Sequence, residues 1–150
     1  MQSFEVRGGK KLSGEITPQG AKNEALQIIS AVLLTAEKVT IKNIPDIIDV
    51  NLLIDLLGEM NVKTERISRD SCIFHADNVD VEYLHSEAYH KKSGKLRGSV
   101  MLAGPMLARF KKAYIPKPGG DKIGRRRLDT HIIGFEKLGA AFSYHEDGFF

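Results

Sequence analysis

Apolar positions recur along the chain with two different spacings, and they predict alternating helices and short strands. An apolar run over residues 25–34 has no polar face, which predicts a buried helix over 23–36 with Asn23 as its N-cap. Leucines three and four positions apart predict a second helix over 49–60. Alternating or β-branched runs predict three strands: 39–41, 62–67 and 72–75.

The second half of the chain repeats this order of elements. Apolar spacing predicts a helix over 99–110 with a kink at Pro105, and another helix over 127–138. The strands predicted in this half are 113–115, 141–144 and 148–150. Asp49 and Asp129 fall at equivalent places in the two halves, where the helix dipole favours an acid. We therefore predict the α/β class, with two related units that each pack helices against a small mixed sheet.

Two segments give a weaker pattern. Residues 3–6 and 12–16 alternate enough to predict two short strands near the N-terminus. Residues 77–95 lack a clear period and are predicted to form an irregular loop. This loop contains His85 and His90, but two histidines without a nearby cysteine are weak candidates for metal ligands. The sequence predicts no metal site there.

Composition narrows the class of protein. The chain has 150 residues, of which 42% are hydrophobic and 27% charged, enough for one globular domain or two small subdomains. A net charge of +3 suits a phosphorylated or acidic small molecule as well as nucleic acid. The single cysteine, Cys72, excludes an internal disulfide and predicts a buried thiol in a cytosolic protein. The polar N-terminus and short apolar runs predict neither a signal peptide nor a membrane span.

Two motifs are candidates for chemistry. In residues 118–131 a glycine-rich loop carries Asp121 and is followed by three arginines, which indicates proton transfer beside a bound anion. The alternative is a surface loop with a solvated basic cluster. In residues 20–23, Lys22 lies where free backbone N–H groups at a helix start would attract an anion. The alternative, which the residue taken alone favours, is an ordinary lysine at a helix start.

Both motifs resemble those of the UDP-N-acetylglucosamine enolpyruvyl transferase family. The matching positions are 20–23, 96–99, 104–105, 108–110, 118–120, 123–124, Arg126, Asp129, His131 and 138–140. The sister enzymes that act on shikimate 3-phosphate have a Ser-Lys-Ser type motif where this chain has Ala-Lys-Asn. The resemblance implies the enolpyruvyl transferase (EPSP synthase-like) fold, in which repeated βαβαββ units build two domains with the active site between them.

The resemblance also implies a domain organisation and a reaction. Residues 1–21 are expected to belong to the second domain, and residues 22–150 to form the first two units of the first domain. The family transfers the enolpyruvyl group of phosphoenolpyruvate to the 3′-hydroxyl of UDP-N-acetylglucosamine and releases phosphate, the first committed step of peptidoglycan synthesis. We expect these two small molecules as substrates in the cytoplasm, without a cofactor, metal, nucleic acid or membrane. The chain alone is expected to be inactive, because the family takes a base and further cations from its other repeats.

The family's functional residues map onto individual positions of this chain. By resemblance, Asp121 is the proton donor and Lys22 a second catalytic residue. The residues expected to contact phosphoenolpyruvate are Lys22, Asn23 and Arg126. Those expected to contact UDP-N-acetylglucosamine are Asn23, Arg97, Arg126, Arg127, Leu128, Asp129 and Thr130.

The chain departs from the family pattern within these motifs. Arg127 stands where proline is usual, Leu128 replaces valine and Thr130 replaces leucine. Asp121 is the largest departure, since most members carry cysteine there and a minority carry aspartate. A carboxyl group donates a proton near neutral pH only if its site raises its pKa. It cannot form the thioether by which fosfomycin inactivates the cysteine enzymes, so the sequence predicts resistance to that antibiotic.

Two alternative functions remain open from the sequence. One is an enolpyruvyl transferase that acts on shikimate 3-phosphate. The other is a basic nucleic-acid-binding domain, which would bind less tightly as salt rises. The basic residues that it would use are Lys91, Lys92, Lys95 and the arginines at 125–127. Only 7% of the residues are aromatic and none is tryptophan, which offers little for base stacking.

Overall fold

A three-stranded antiparallel sheet and two helices form the first half of the chain. The computed structural model describes residues 3–117, 127–146 and 148–150. The elements of this half are helices α1 (Lys22–Ala31) and α2 (Ile48–Glu59) and strands β1 (Lys38–Ile41), β2 (Lys63–Ser68) and β3 (Ser71–His75). Strand β3 lies in the middle, so that Phe74 is opposite Val39 on one side and Thr64 on the other.

In the second half, the described residues form three helices and a two-stranded antiparallel sheet. These elements are α3 (Glu87–Lys95), α4 (Ala103–Phe110), β4 (Ile115–Pro116), α5 (Asp129–Lys137) and β5 (Gly148–Phe149). Short 3-10 turns join some of these elements, at Val32–Leu34, Glu82–His85 and Arg97–Leu102. The predicted α/β class with small sheets is therefore confirmed, but the sheets of the described residues are antiparallel rather than mixed. Within the described residues, no helix is long and apolar enough to cross a membrane.

Leucine spacing explains the core. Helix α2 buries Val50, Leu53, Leu56 and Leu57, a stripe with the helical period. Each such side chain contributes about 1.5–3 kcal/mol when it leaves water. Cys72 of β3 is completely buried, which confirms the prediction of a buried thiol.

Most predicted elements are present, with ends that differ by a few residues. The helices predicted over 23–36, 49–60 and 127–138 are α1, α2 and α5, and the first three strands are β1, β2 and β3. Helix α1 is not buried all round, because Ile28 and Leu34 beside it remain 44% and 53% exposed. The strand predicted over 141–144 is wrong: only Tyr144 forms a bridge, to Phe149.

The two strands predicted near the N-terminus are wrong. Residues 3–20 contain no strand. Their alternating apolar side chains are at least 90% exposed: Phe4, Val6, Leu12 and Ile16. An alternating pattern makes a strand only where a neighbouring strand takes up the backbone hydrogen bonds and a core takes up the apolar face. This segment finds neither within the described residues.

The prediction of an irregular loop over 77–95 is also wrong, because this segment contains the 3-10 turn Glu82–His85 and helix α3. The hydroxyl of Ser86 caps α3 by accepting a hydrogen bond from the Tyr89 backbone N–H at 3.1 Å. Leu84 and Tyr89 are fully buried and anchor the segment. Most of the neighbouring residues are polar or charged, so the hydrophobic pattern does not reveal Leu84 and Tyr89 as core residues.

The single helix predicted over 99–110 is divided in the structure. Residues Arg97–Leu102 form a 3-10 turn, and α4 begins at Ala103. Pro105 is then the third residue of α4, in the first turn, where its missing N–H has no helical partner to lose. The kink predicted at Pro105 is wrong, because this residue lies in the first turn of α4 rather than in the middle of a longer helix.

Candidate functional site

A cleft of about 540 Å³ forms where the N-terminal ends of α1, α2 and α5 approach the 3-10 turn Arg97–Leu102. Basic and apolar side chains share its lining. The described residues that line it are Lys22, Asn23, Leu26, Gln27, Asp49, Lys95, Arg97, Gly98, Val100, Met101, Arg127, Leu128 and His131. Tertiary folding therefore brings together motifs that are far apart in the sequence. Among these residues are four cations and one carboxylate, so the site favours an anion.

The N-terminus of α1 lies at this cleft, which Lys22 and Asn23 line. The helix begins at Lys22, and its N-cap residue Ala21 makes no side-chain cap hydrogen bond. The prediction of Asn23 as the N-cap is wrong, because Asn23 is the second helical residue and its side chain lines the cleft. A helix start without a cap leaves backbone N–H groups available to an anion.

An ion pair joins the starts of α1 and α2. Lys22 Nζ donates to Asp49 Oδ2 at 2.7 Å, and the two side chains are 50% and 41% exposed. A lysine at a helix start is disfavoured by the helix dipole by roughly 0.3–1 kcal/mol. An ion pair this exposed is worth at most about 1 kcal/mol. These two contributions are of similar size and opposite sign, so the lysine does not stabilise the fold. Its position at the cleft is therefore better explained by function.

The opposite wall depends on a glycine. A Cβ atom at Gly98 would lie 2.8 Å from Cδ1 of Leu26, closer than side chains tolerate. Glycine thus lets the turn pack directly on α1. This contact brings Arg97, the first residue of the turn, to the same cleft as Lys22.

The start of α5 completes the described part of the site. Arg127 and Leu128 line the cleft, and Arg127 forms an ion pair with Asp129, the first residue of α5. Asp129 and Thr130 themselves are not in the described lining. Asp121 and Arg126 lie outside the described residues, as does the whole segment 118–126. Their predicted roles therefore stay predictions.

The basic run of α3 does not act as one patch. Lys92 forms an ion pair with Glu59 of α2, and Tyr83 donates its hydroxyl to the same carboxylate at 2.5 Å. Lys92 and then Tyr83 hold the pKa of Glu59 below its ordinary value. Lys95, by contrast, lines the cleft. The nucleic-acid alternative requires these lysines to act together, and packing separates Lys92 from Lys95.

The two histidines of segment 77–95 are packed against aromatic rings. His85 stacks on Phe150 with ring centroids 4.4 Å apart, and His90 stacks on Tyr114 at 4.0 Å. Within residues 3–117, 127–146 and 148–150, no three His, Cys, Asp or Glu side chains are grouped so as to hold a metal ion.

Substitution of Gly20 by alanine is expected to lower the free energy of unfolding, because Gly20 is tightly packed just before Lys22. The new Cβ atom would lie 2.0 Å from the backbone oxygen of Asn43, so the segment that leads into Lys22 must move. Forcing extra atoms into a packed site costs about 1–3 kcal/mol. The measurement is the free energy of unfolding in urea. In the control Gly58→Ala the new atom meets open space inside α2, and a helical glycine replaced by alanine gains about 0.5–1 kcal/mol. Equal stability of the two variants would contradict this prediction.

Comparison with known proteins places the chain among enolpyruvyl transferases. The family model described as EPSP synthase (3-phosphoshikimate 1-carboxyvinyltransferase) matches residues 6–150. A UDP-N-acetylglucosamine 1-carboxyvinyltransferase from Porphyromonas gingivalis is 60% identical over 147 residues, which cover 98% of this chain and 34% of that protein. Its counterpart from Bacteroides fragilis is 63% identical with the same coverage. The chain thus spans about a third of the length of the curated relatives that it matches.

The fold has a match among solved structures. The crystal structure of the enolpyruvyl transferase NikO from Streptomyces tendae superposes with a TM-score of 0.72, covering 95% of this chain and 30% of that one. The sequences are 21% identical, so this likeness bears on the fold alone.

Proposed function

We propose, on the premise that this chain belongs to the EPSP synthase (3-phosphoshikimate 1-carboxyvinyltransferase) family, that it is part of a UDP-N-acetylglucosamine enolpyruvyl transferase. The enzyme transfers the enolpyruvyl group of phosphoenolpyruvate to the sugar 3′-hydroxyl and releases phosphate, in the first committed step of peptidoglycan synthesis. The observation that carries the proposal is the cleft that gathers Lys22, Asn23, Arg97 and Arg127. The identity of 60–63% to relatives with this name supports the choice of sugar nucleotide.

The charges of the cleft suit these substrates. Phosphoenolpyruvate carries a carboxylate and a phosphate, and Lys22 with the uncapped start of α1 offers an ammonium and backbone N–H groups to them. Asn23, the next residue, is the proposed contact shared by both substrates. Holding the two reactants in one orientation is itself a large part of such catalysis.

The nucleotide is assigned to the other side of the cleft. Arg97 and Arg127 supply guanidinium groups for the diphosphate, and Leu128 supplies an apolar surface. Arg126, Asp129 and Thr130 complete the proposed set by resemblance. Arg127 replaces the proline usual in the family, so this chain adds a cation at that point of the cleft.

The chemistry requires three proton movements. A proton must reach C3 of phosphoenolpyruvate while the sugar hydroxyl loses its own proton and its oxygen bonds to C2. The bond from C2 to the phosphate oxygen then breaks as C3 gives up a proton, which restores the double bond of the enolpyruvyl group. We assign Asp121 as the donor to C3. The base that accepts the hydroxyl proton is assigned to the part of the enzyme beyond this third, which is why the 150-residue chain alone is expected to be inactive. A buried single cysteine agrees with a cytoplasmic enzyme.

Phosphate release tests the proposal. The test enzyme is a hybrid in which this chain replaces the matching third of the Bacteroides fragilis relative, hereafter the hybrid enzyme. It is given phosphoenolpyruvate with either UDP-N-acetylglucosamine or shikimate 3-phosphate. Release only with the sugar nucleotide is the expected result, and the unaltered relative is the positive control. Release only with the shikimate compound, or with neither, would overturn the proposal.

Fosfomycin is expected to leave this protein unmodified. The antibiotic alkylates the cysteine of most family members, and a carboxylate at position 121 cannot form that thioether. Intact-mass measurement after incubation with fosfomycin and UDP-N-acetylglucosamine should show only the unmodified hybrid enzyme. A relative that carries cysteine at this position is the control and should gain one adduct. A stable adduct on Asp121 would show the prediction to be wrong.

A further inference from the structure

The ammonium of Lys22 is held at the cleft by one carboxylate from another helix. Its Nζ atom donates to Asp49 Oδ2 at 2.7 Å, across 27 positions of sequence. Lys22 is the first residue of α1, and Asp49 is the second residue of α2. An ammonium has three N–H donors, so two remain for an anionic ligand while this bond is in place.

The solvent exposure of Lys22 and Asp49 indicates that their ion pair does not serve to stabilise the fold. Both side chains are about half exposed, so solvent screens their attraction and the pair adds little to folding. The lysine stem is long and flexible, however, and an ammonium without a partner samples many rotamers. The main physical consequence of Asp49 is therefore the location of the ammonium rather than the stability of the fold.

A second acid at a helix start also pairs with a cation of the cleft, although here the cation precedes it by only two residues. Asp129 is the first residue of α5 and forms an ion pair with Arg127, another cation of the cleft. Asp49 and Asp129 occupy equivalent places in the two halves. An acid in the first turn of a helix is favoured by the dipole, and here each acid also holds a cation that faces the cleft.

We infer that Asp49 is a positioning residue, which fixes the Lys22 ammonium in the orientation that receives the anionic groups of phosphoenolpyruvate. This inference rests on the proposed function. Asp49 need not touch the substrate, because it acts through Lys22. Its carboxylate also offsets the charge of the Lys22 ammonium, so the cleft presents a hydrogen-bond donor with a fixed orientation rather than a mobile positive charge.

Kinetics of the Asp49→Asn hybrid enzyme test the inference. Misplaced groups cost up to about a hundredfold, and a rotamer change that water partly compensates should lower kcat about tenfold to thirtyfold. The KM for phosphoenolpyruvate should change less than about threefold, because the charge of Lys22 remains. Asp49→Glu restores a carboxylate and should recover most of kcat. The matched control is Asp55→Asn, which removes the same charge from the exposed side of α2.

Two outcomes of the kinetics would overturn the inference. One is an unchanged kcat in Asp49→Asn. The other is a lower kcat accompanied by a fall in melting temperature of more than a few degrees, which would assign Asp49 a structural role.

A second measurement needs no activity. The Lys22 ammonium of the 150-residue chain is observed by ¹H–¹⁵N NMR of lysine side chains at low temperature, where an ion-paired ammonium exchanges more slowly with water than an unpaired one. The Lys22 signal should be lost in Asp49→Asn and retained in Asp55→Asn. Its retention in Asp49→Asn would overturn the inference. If the hybrid enzyme releases no phosphate at all, the proposed function fails, while this signal still reports on the pair.

Discussion

The Asp121→Asn hybrid enzyme is expected to turn over about a hundredfold or more slowly than the parent hybrid, the usual scale for loss of a general acid. Asparagine keeps the shape of aspartate but has no acidic proton to give to C3 of phosphoenolpyruvate. Because the substitution leaves the cations of the cleft in place, the KM for both substrates should change less than about threefold. The loss should therefore appear in kcat, measured as phosphate release under saturating substrates.

Asp121→Cys is the informative partner of this variant. A thiol is the donor that most of the family uses at this position, so the cysteine variant should keep far more activity than the asparagine variant. It should also gain a fosfomycin adduct that the parent hybrid does not. Turnover of Asp121→Asn at the parent rate would remove Asp121 from catalysis, and would leave the fold and the cleft assignment intact.

Removal of the Lys22 charge is expected to have the second large effect. Lys22→Met keeps an apolar stem of similar reach and deletes the ammonium that lies in the cleft. Loss of one preorganised charged donor to a reacting anion lowers kcat by about a hundredfold to a thousandfold. The unpaired carboxylate of Asp49 would then face an anionic substrate, so the KM for phosphoenolpyruvate should rise as well. This rise distinguishes Lys22→Met from Asp49→Asn.

A lysine outside the cleft provides the control. Lys91 is exposed on α3 and is not in the described lining, so Lys91→Met should keep parent kinetics. Melting temperatures of both variants should stay close to the parent value, because a half-exposed ion pair contributes little to stability. Parent values of kcat and KM in Lys22→Met would contradict the assignment of this residue to phosphoenolpyruvate.

Local sequence patterns predicted the parts of the fold that depend on local spacing. Helix α2 follows from leucines at helical intervals, and strands β2 and β3 follow from alternation around a polar turn. Motif resemblance predicted Lys22 and Arg97 as site residues, and the structure places both in one cleft. It gave no role to Asp49, although the equivalence of Asp49 and Asp129 was visible in the sequence.

The errors share a physical cause. The apolar alternation of residues 3–16 is a correct observation, yet a strand also needs a neighbour, and periodicity contains no information about neighbours. Conversely, α3 has a weak pattern, but the Ser86 cap and burial of Leu84 and Tyr89 are enough to order it.

Spacing along the chain was enough to predict α1, α2, α5, β1–β3 and the buried thiol, and the family resemblance supplied the candidate site residues. Tertiary packing decided which cations face the cleft and which are paired elsewhere, as Lys95 and Lys92 show. It also decided that the carboxylate of Asp49 holds Lys22. The reason is that spacing along the chain fixes local geometry, whereas contacts between distant residues depend on how whole helices pack.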